Sequence, residues 1–124
     1  MNQDAFVYDA RYKEYRAEID GFVIEIGEQD WDAAAVALAG EVVAVYARRL
    51  PAIAAHMAAN EDFAIFYDEP GPDEIMAKLN LPVISLGAAG GRLTYCKHLL
   101  DDDHIIDLDF SGALAKFYDI EING

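Results

Sequence analysis

The sequence predicts an α+β fold: an N-terminal β-hairpin, a long kinked helix, a short helix and a C-terminal four-stranded antiparallel meander, with the helices packed on one sheet face. Three observations carry this prediction. Asp20-Gly21 lies between two alternating segments, residues 13–19 and 22–26, and this dipeptide is characteristic of a two-residue hairpin turn. Residues 33–50 are almost entirely helix formers plus Val, with Val42, Val45, Tyr46 and Leu50 recurring at helical spacing. After Leu93, polar and apolar side chains alternate with period two, interrupted by turn residues at Asp101-Asp102-Asp103 and Ser111-Gly112.

Folding residues 13–26 about Asp20-Gly21 gathers Tyr15, Ala17, Ile19, Phe22, Ile24 and Ile26 on one face. Glu14, Arg16, Glu18, Val23 and Glu25 fall on the other, with Arg16 opposite Glu25 as a favourable cross-strand pair. The preceding residues 6–12 alternate weakly and suit a short strand or an ordered arm. Asp30 is expected to cap the long helix, with Trp31 and Asp32 in its first turn, where negative charge suits the exposed amides. Pro51 cannot donate to Ala47, so the helix should kink or restart there and continue to about Ala59.

Residues 63–67 form an aromatic run with no assignable period. Glu69-Pro70-Gly71-Pro72 breaks the chain, and Asp73 and Glu74 then open a short helix through Leu79, ended by Asn80 and Pro82. Residues 83–86 read as a strand, and residues 87–91 as a flexible glycine loop. That loop lacks the Lys-Ser/Thr ending of a phosphate loop and does not lead into a helix.

In the meander, pairing Leu99 with His104 puts Leu93, Tyr95, Lys97, Leu99, His104, Ile106, Leu108 and Phe110 on the core face. The opposite face then carries Thr94, Cys96, His98, Asp107 and Asp109, with Cys96 near Asp107 and Thr94 near Asp109. These five are the candidate binding residues. For the last strand, a three-residue loop of Ser111, Gly112 and Ala113 would set Phe110 opposite Leu114 and turn Tyr118, Ile120 and Ile122 inward. No catalytic residue and no metal ligand is assigned. Side chains two apart on a strand lie about 7 Å from one another, too far for a Cys96–His98 nucleophile pair and awkward for a tetrahedral ion site.

Residues 1–124 read as one domain, and 54% hydrophobic against 26% charged residues is a globular rather than a disordered composition. A single cysteine excludes an internal disulfide and any paired-cysteine metal knuckle, and fits a reducing compartment. The first residues hold no basic leader followed by an apolar segment, and the apolar stretch from Ala33 is interrupted by Glu41, Arg48 and Arg49. A cytoplasmic location is therefore expected. The formal charge of −14, from 23 acidic and 9 basic residues, is spread along the chain. Such a field repels nucleic acid and anionic membrane and favours a basic protein partner.

In Thr94-Tyr95, then Asp102-Asp103-His104-Ile105-Ile106-Asp107-Leu108-Asp109-Phe110-Ser111-Gly112, and in Ile120-Glu121-Ile122-Asn123-Gly124, the chain resembles small acidic bacterial proteins of unknown function. Several of those families are associated with immunity proteins of toxin systems. The resemblance implies a binding role and carries over no catalytic residue. The expected function is thus a non-enzymatic binding protein, an immunity-type inhibitor of a basic toxin or another basic partner, with no cofactor. The alternatives are a small metal-dependent hydrolase using the polar face of the meander, and a homo-oligomeric scaffold joined through a sheet face or edge.

Overall fold

The computed structural model describes residues 1–87 and 90–124. A seven-stranded sheet runs β1 (Val7–Asp9), β2 (Glu14–Ile19), β3 (Phe22–Gly27), β4 (Val83–Gly87), β5 (Gly90–Tyr95), β6 (Ile105–Ser111) and β7 (Lys116–Asn123), in that spatial order. Neighbours are antiparallel except β3 and β4, which pair in parallel with Val23 opposite Val83. A parallel pair needs a long crossover. Here it is supplied by three helices, α1 (Ala33–Ala59), α2 (Glu61–Phe66) and α3 (Pro72–Leu79).

β2 and β3 meet across Asp20-Gly21, both with positive φ (52° and 87°), as a tight turn matched to strand twist demands. They are not an isolated hairpin, because β1 extends them to three strands with Tyr8 opposite Tyr15. Strands β4 to β7 form the antiparallel meander. The expected glycine loop lies partly on Ala88 and Ala89, outside the described residues. Gly87 ends β4, while Gly90 and Gly91 open β5.

Asp32, not Asp30, caps α1: its carboxylate accepts from the Ala35 amide at 2.7 Å, and Asp30 closes a short 3-10 turn before it. The helix runs unbroken through Pro51. A mid-helix proline costs about 3 kcal/mol. Ile53, Ala54 and Met57 lie fully buried just beyond it, and burying an Ile or Met side chain contributes about 1.5–3 kcal/mol each, enough to hold the helix together. Asn60 then ends α1 and begins α2, its side chain accepting from the Phe63 amide at 2.9 Å. The aromatic run is therefore helical, with Phe63 as its buried residue.

One core joins Ala17, Phe22, Ile24, Ile26, Ile84, Leu86, Leu93, Tyr95, Ile106, Leu108 and Phe110 of the sheet to Val36, Ala39, Val42, Tyr46, Ile53, Met57, Phe63, Ile75 and Leu79 of the helices. Within it the Tyr46 and Tyr95 hydroxyls lie 2.6 Å apart, each satisfying the other. Burial pushes Tyr46 up to about 12 and Tyr95 well above the ordinary phenol value, so both stay neutral.

The last strand departs from the expected register. Ser111 pairs with Lys116 and Phe110 with Phe117, so the connection is Gly112 through Ala115. A register shift between Phe110 and Leu108 leaves Tyr118 and Asp119 facing the single residue Asp109, and it restores Ile120 opposite Leu108 and Ile122 opposite Ile106. Tyr118 consequently points outward and Phe117 packs against the core in its place. The helix supplies the reason: Arg49 of α1 donates to the Leu114 carbonyl at 2.9 Å and lies over the Phe117 ring, fixing where the strand can start.

Candidate functional site

The side chains that alternate with the core set form two rows across the sheet. Arg16, Glu25, Ser85, Arg92 and Asp109 are successive cross-strand neighbours, as are Glu18, Val23, Val83, Thr94, Asp107 and Glu121. Opposite charges meet along the first row, with Arg16 on Glu25 at 3.3 Å and Arg92 on Asp109 at 2.8 Å. In the second, Asp107 is only 9% exposed. Thr94 donates to one of its oxygens at 2.7 Å and Asn123 to the other at 3.0 Å, which offsets the cost of burying the carboxylate.

Of the five candidate residues, the structure joins Thr94 to Asp107 and separates the rest. The expected pairing was displaced by two residues: Thr94 faces Asp107, and Arg92 rather than Thr94 faces Asp109. Cys96 does not reach Asp107, because β5 stops at Tyr95 and Cys96 is exposed beyond it. The cause is the end of α3. Asn80, with a positive φ of 57°, donates its side-chain amide to the Lys97 carbonyl at 2.7 Å, and the Leu99 amide donates to the Lys78 carbonyl at 2.8 Å. These bonds pull residues 97–99 off the sheet.

His98 is buried rather than on the polar face. Its Nδ1 accepts from the Leu100 amide at 3.1 Å, so Nε2 carries the proton and donates to the His104 carbonyl at 2.7 Å. Both ring nitrogens are thereby used in shaping the loop, and neither is left to activate Cys96. Beside it, Asp101 accepts from the amides of Asp103 and His104 and from the His104 ring at 2.9 Å. Burial alone would raise the Asp101 carboxyl, but the neighbouring Tyr67 hydroxyl, the His104 ring and the two amides outweigh it and hold it below the usual carboxylate value. Among the described residues the buried Tyr67 hydroxyl meets no partner at full hydrogen-bond geometry, and burial first, then its interaction with the Asp101 carboxylate beside it, pushes it up. The sequence showed only an acidic turn here. An Asp followed two and three residues on by free amides is the local signal for this loop cap.

A third feature lies at the edge of the sheet. The C-terminal end of α1 and strand β7 enclose a groove of about 510 Å³ lined by His56, Asn60, Asp62, Asp119, Ile120 and Glu121 among others. His56 Nε2 donates to the Tyr118 carbonyl at 2.7 Å, tying helix to strand at one end of the groove.

No protein-family model, curated protein or solved structure matches this chain. The chemistry of the site therefore rests on the residues themselves. Among the described residues, no three His, Cys, Asp or Glu side chains converge as a metal site would need. Each Asp107 oxygen already accepts one hydrogen bond, from Thr94 and from Asn123, and Asp109 is held by Arg92.

The polar face also holds one perturbed carboxyl. Burial first, then the adjacent Glu25 carboxylate, push Glu14 from 4.5 up to about 7, against the opposing pull of Arg16. A carboxyl raised on folding favours the protonated native state. Its contribution is fully present below pH 4.5 and is lost as the pH climbs to about 7. Stability measured by denaturant unfolding should accordingly fall between ~pH 5 and ~pH 8, and Glu14→Gln should flatten that slope. An unchanged slope in the variant would refute the assignment.

Among the described residues, no helix is long and apolar enough to cross a membrane.

Proposed function

We propose that this chain is a non-enzymatic binding protein for a basic protein partner, its particular form being an immunity-type inhibitor of a basic toxin. In this reading the helices cover one sheet face, and the polar face, the acidic loops and the β7 edge are presented to the partner. The supporting observation is uncompensated charge. Against 23 acidic side chains stand 9 basic ones. Among the described residues, only Glu25, Glu74 and Asp109 are ion-paired with Arg or Lys. Two further cations are engaged internally: Arg49 with the Leu114 carbonyl and Phe117, and Lys116 over Tyr118. A field of this sign speeds the encounter with a cationic surface and is screened by salt.

The test is capture of the partner with the chain as bait, followed by kinetics on the purified pair. A one-to-one complex with a basic protein is expected. Its association rate should fall at least about ten-fold between ~0.1 M and ~1 M salt, as the screening length drops from about 10 to about 3 Å. If the captured protein is a toxin, an equimolar amount of the chain should abolish its activity. A neutral or acidic partner, or a rate indifferent to salt, would refute the proposal.

A further inference from the structure

Strand β7 ends the sheet on one side and β1 on the other, so each leaves a row of backbone donors and acceptors without a neighbouring strand. The two edges differ in capacity. β1 has three residues and β7 has eight. The β7 edge is fastened at its start, where His56 takes the Tyr118 carbonyl. Beyond that point, among the described residues, no hydrogen bond from outside the β6–β7 ladder reaches the backbone of residues 119–122. This open length borders the groove. Asp62, Asp119 and Glu121 line it, all three exposed, and no Lys or Arg is among its lining residues.

We infer that the groove between α1 and β7 receives an extended, lysine- or arginine-bearing segment of the partner, which adds to the sheet as an eighth strand beside residues 119–122. Main-chain hydrogen bonds to β7 supply the affinity, and Asp62, Asp119 and Glu121 select the charge of the incoming strand. Charge also decides among occupants. A second copy of this chain would bring another −14 against the same acidic edge, and like charges directly opposite on adjacent strands are unfavourable. A basic strand reverses the sign of the side-chain term and keeps the backbone term.

This inference rests on the basic-partner reading, and its test separates the two. The whole chain is titrated with a capped peptide of alternating Lys and Thr, of the same length as β7, while backbone amide resonances and hydrogen exchange are followed. Amides of residues 119–123 are expected to shift and to exchange more slowly. A peptide of the same charge, N-methylated at alternate residues, should bind about ten-fold or more weakly, as should the double variant Asp119→Lys, Glu121→Lys. Both substituted residues are exposed, and their variant's amide spectrum reports directly whether it is folded. Shifts confined to residues 101–103 or to the Arg16–Asp109 row, or equal binding of the N-methylated peptide, would overturn strand addition while leaving an acidic surface that attracts basic proteins. Absence of any binding at ~0.1 M salt would overturn both.

Discussion

Phe63→Ala is expected to destabilise the protein by about 3–5 kcal/mol, the range for removing a fully buried aromatic ring. Phe63 is the single buried side chain of a six-residue helix, its amide is held by Asn60, and its ring lies 5.0 Å from that of Tyr67. A helix this short has no stability of its own and forms because this ring is buried. Losing it should therefore also loosen Tyr67 and the His98 loop against which Tyr67 packs at 6.2 Å. Denaturant unfolding measures the loss. Ile65→Ala, on the same helix but 72% exposed, is the control and should cost little. A loss under about 1 kcal/mol for Phe63→Ala would show that α2 is held by something else.

Gly90→Ala should be comparably severe. Gly90 has φ +155°, a conformation reserved for glycine, and an added Cβ would meet the Phe110 carbonyl oxygen of the adjacent strand at a separation that no real contact permits. Backbone strain of about 1–3 kcal/mol adds to an overpacking cost of about 1–3 kcal/mol, because the obstacle is backbone and cannot rotate away. Gly71→Ala is the matched control, since nothing lies within 4 Å of its virtual Cβ and its φ is −75°. Thermal unfolding of the two variants should separate clearly. Equal midpoints would mean that the β5–β6 contact at Phe110 is not as close as described.

What could be read from the sequence was local. Asp20-Gly21 announces its turn through two residues that tolerate positive φ. Ile120 and Ile122 reveal their inward direction because a wrong register would expose them. The short helix after Gly71 is marked by Pro72 and the acids of its first turn. What escaped depended on contacts between distant segments. Cys96 and His98 continue the alternation of a strand, yet Lys78 and Asn80 at the end of α3 capture the backbone there, and no pattern within residues 92–99 records that. Tyr118 was misplaced for the same kind of reason, since Arg49 and His56 of α1 set the start of β7. The candidate site divided accordingly. Thr94, Asp107 and Asp109 share the polar face, as alternation requires, while their partners Asn123 and Arg92 emerge only once the register is known. The groove beside β7 has no sequence signature, because it is made by the meeting of a helix end and a sheet edge.

The single parallel pairing has a consequence for how the chain reaches this state. β1 to β3 and β4 to β7 are each built from strands adjacent in sequence, so each can assemble through short-range closures. The seam from Val23 to Val83 cannot form until the three helices have spanned it. Folding speed is then governed by one long closure whose entropy must be met before its contacts reward it. Until that happens, β3 and β4 are themselves bare edges, and a nascent or stressed molecule is most vulnerable to mispairing at the middle of its finished sheet rather than at its rims.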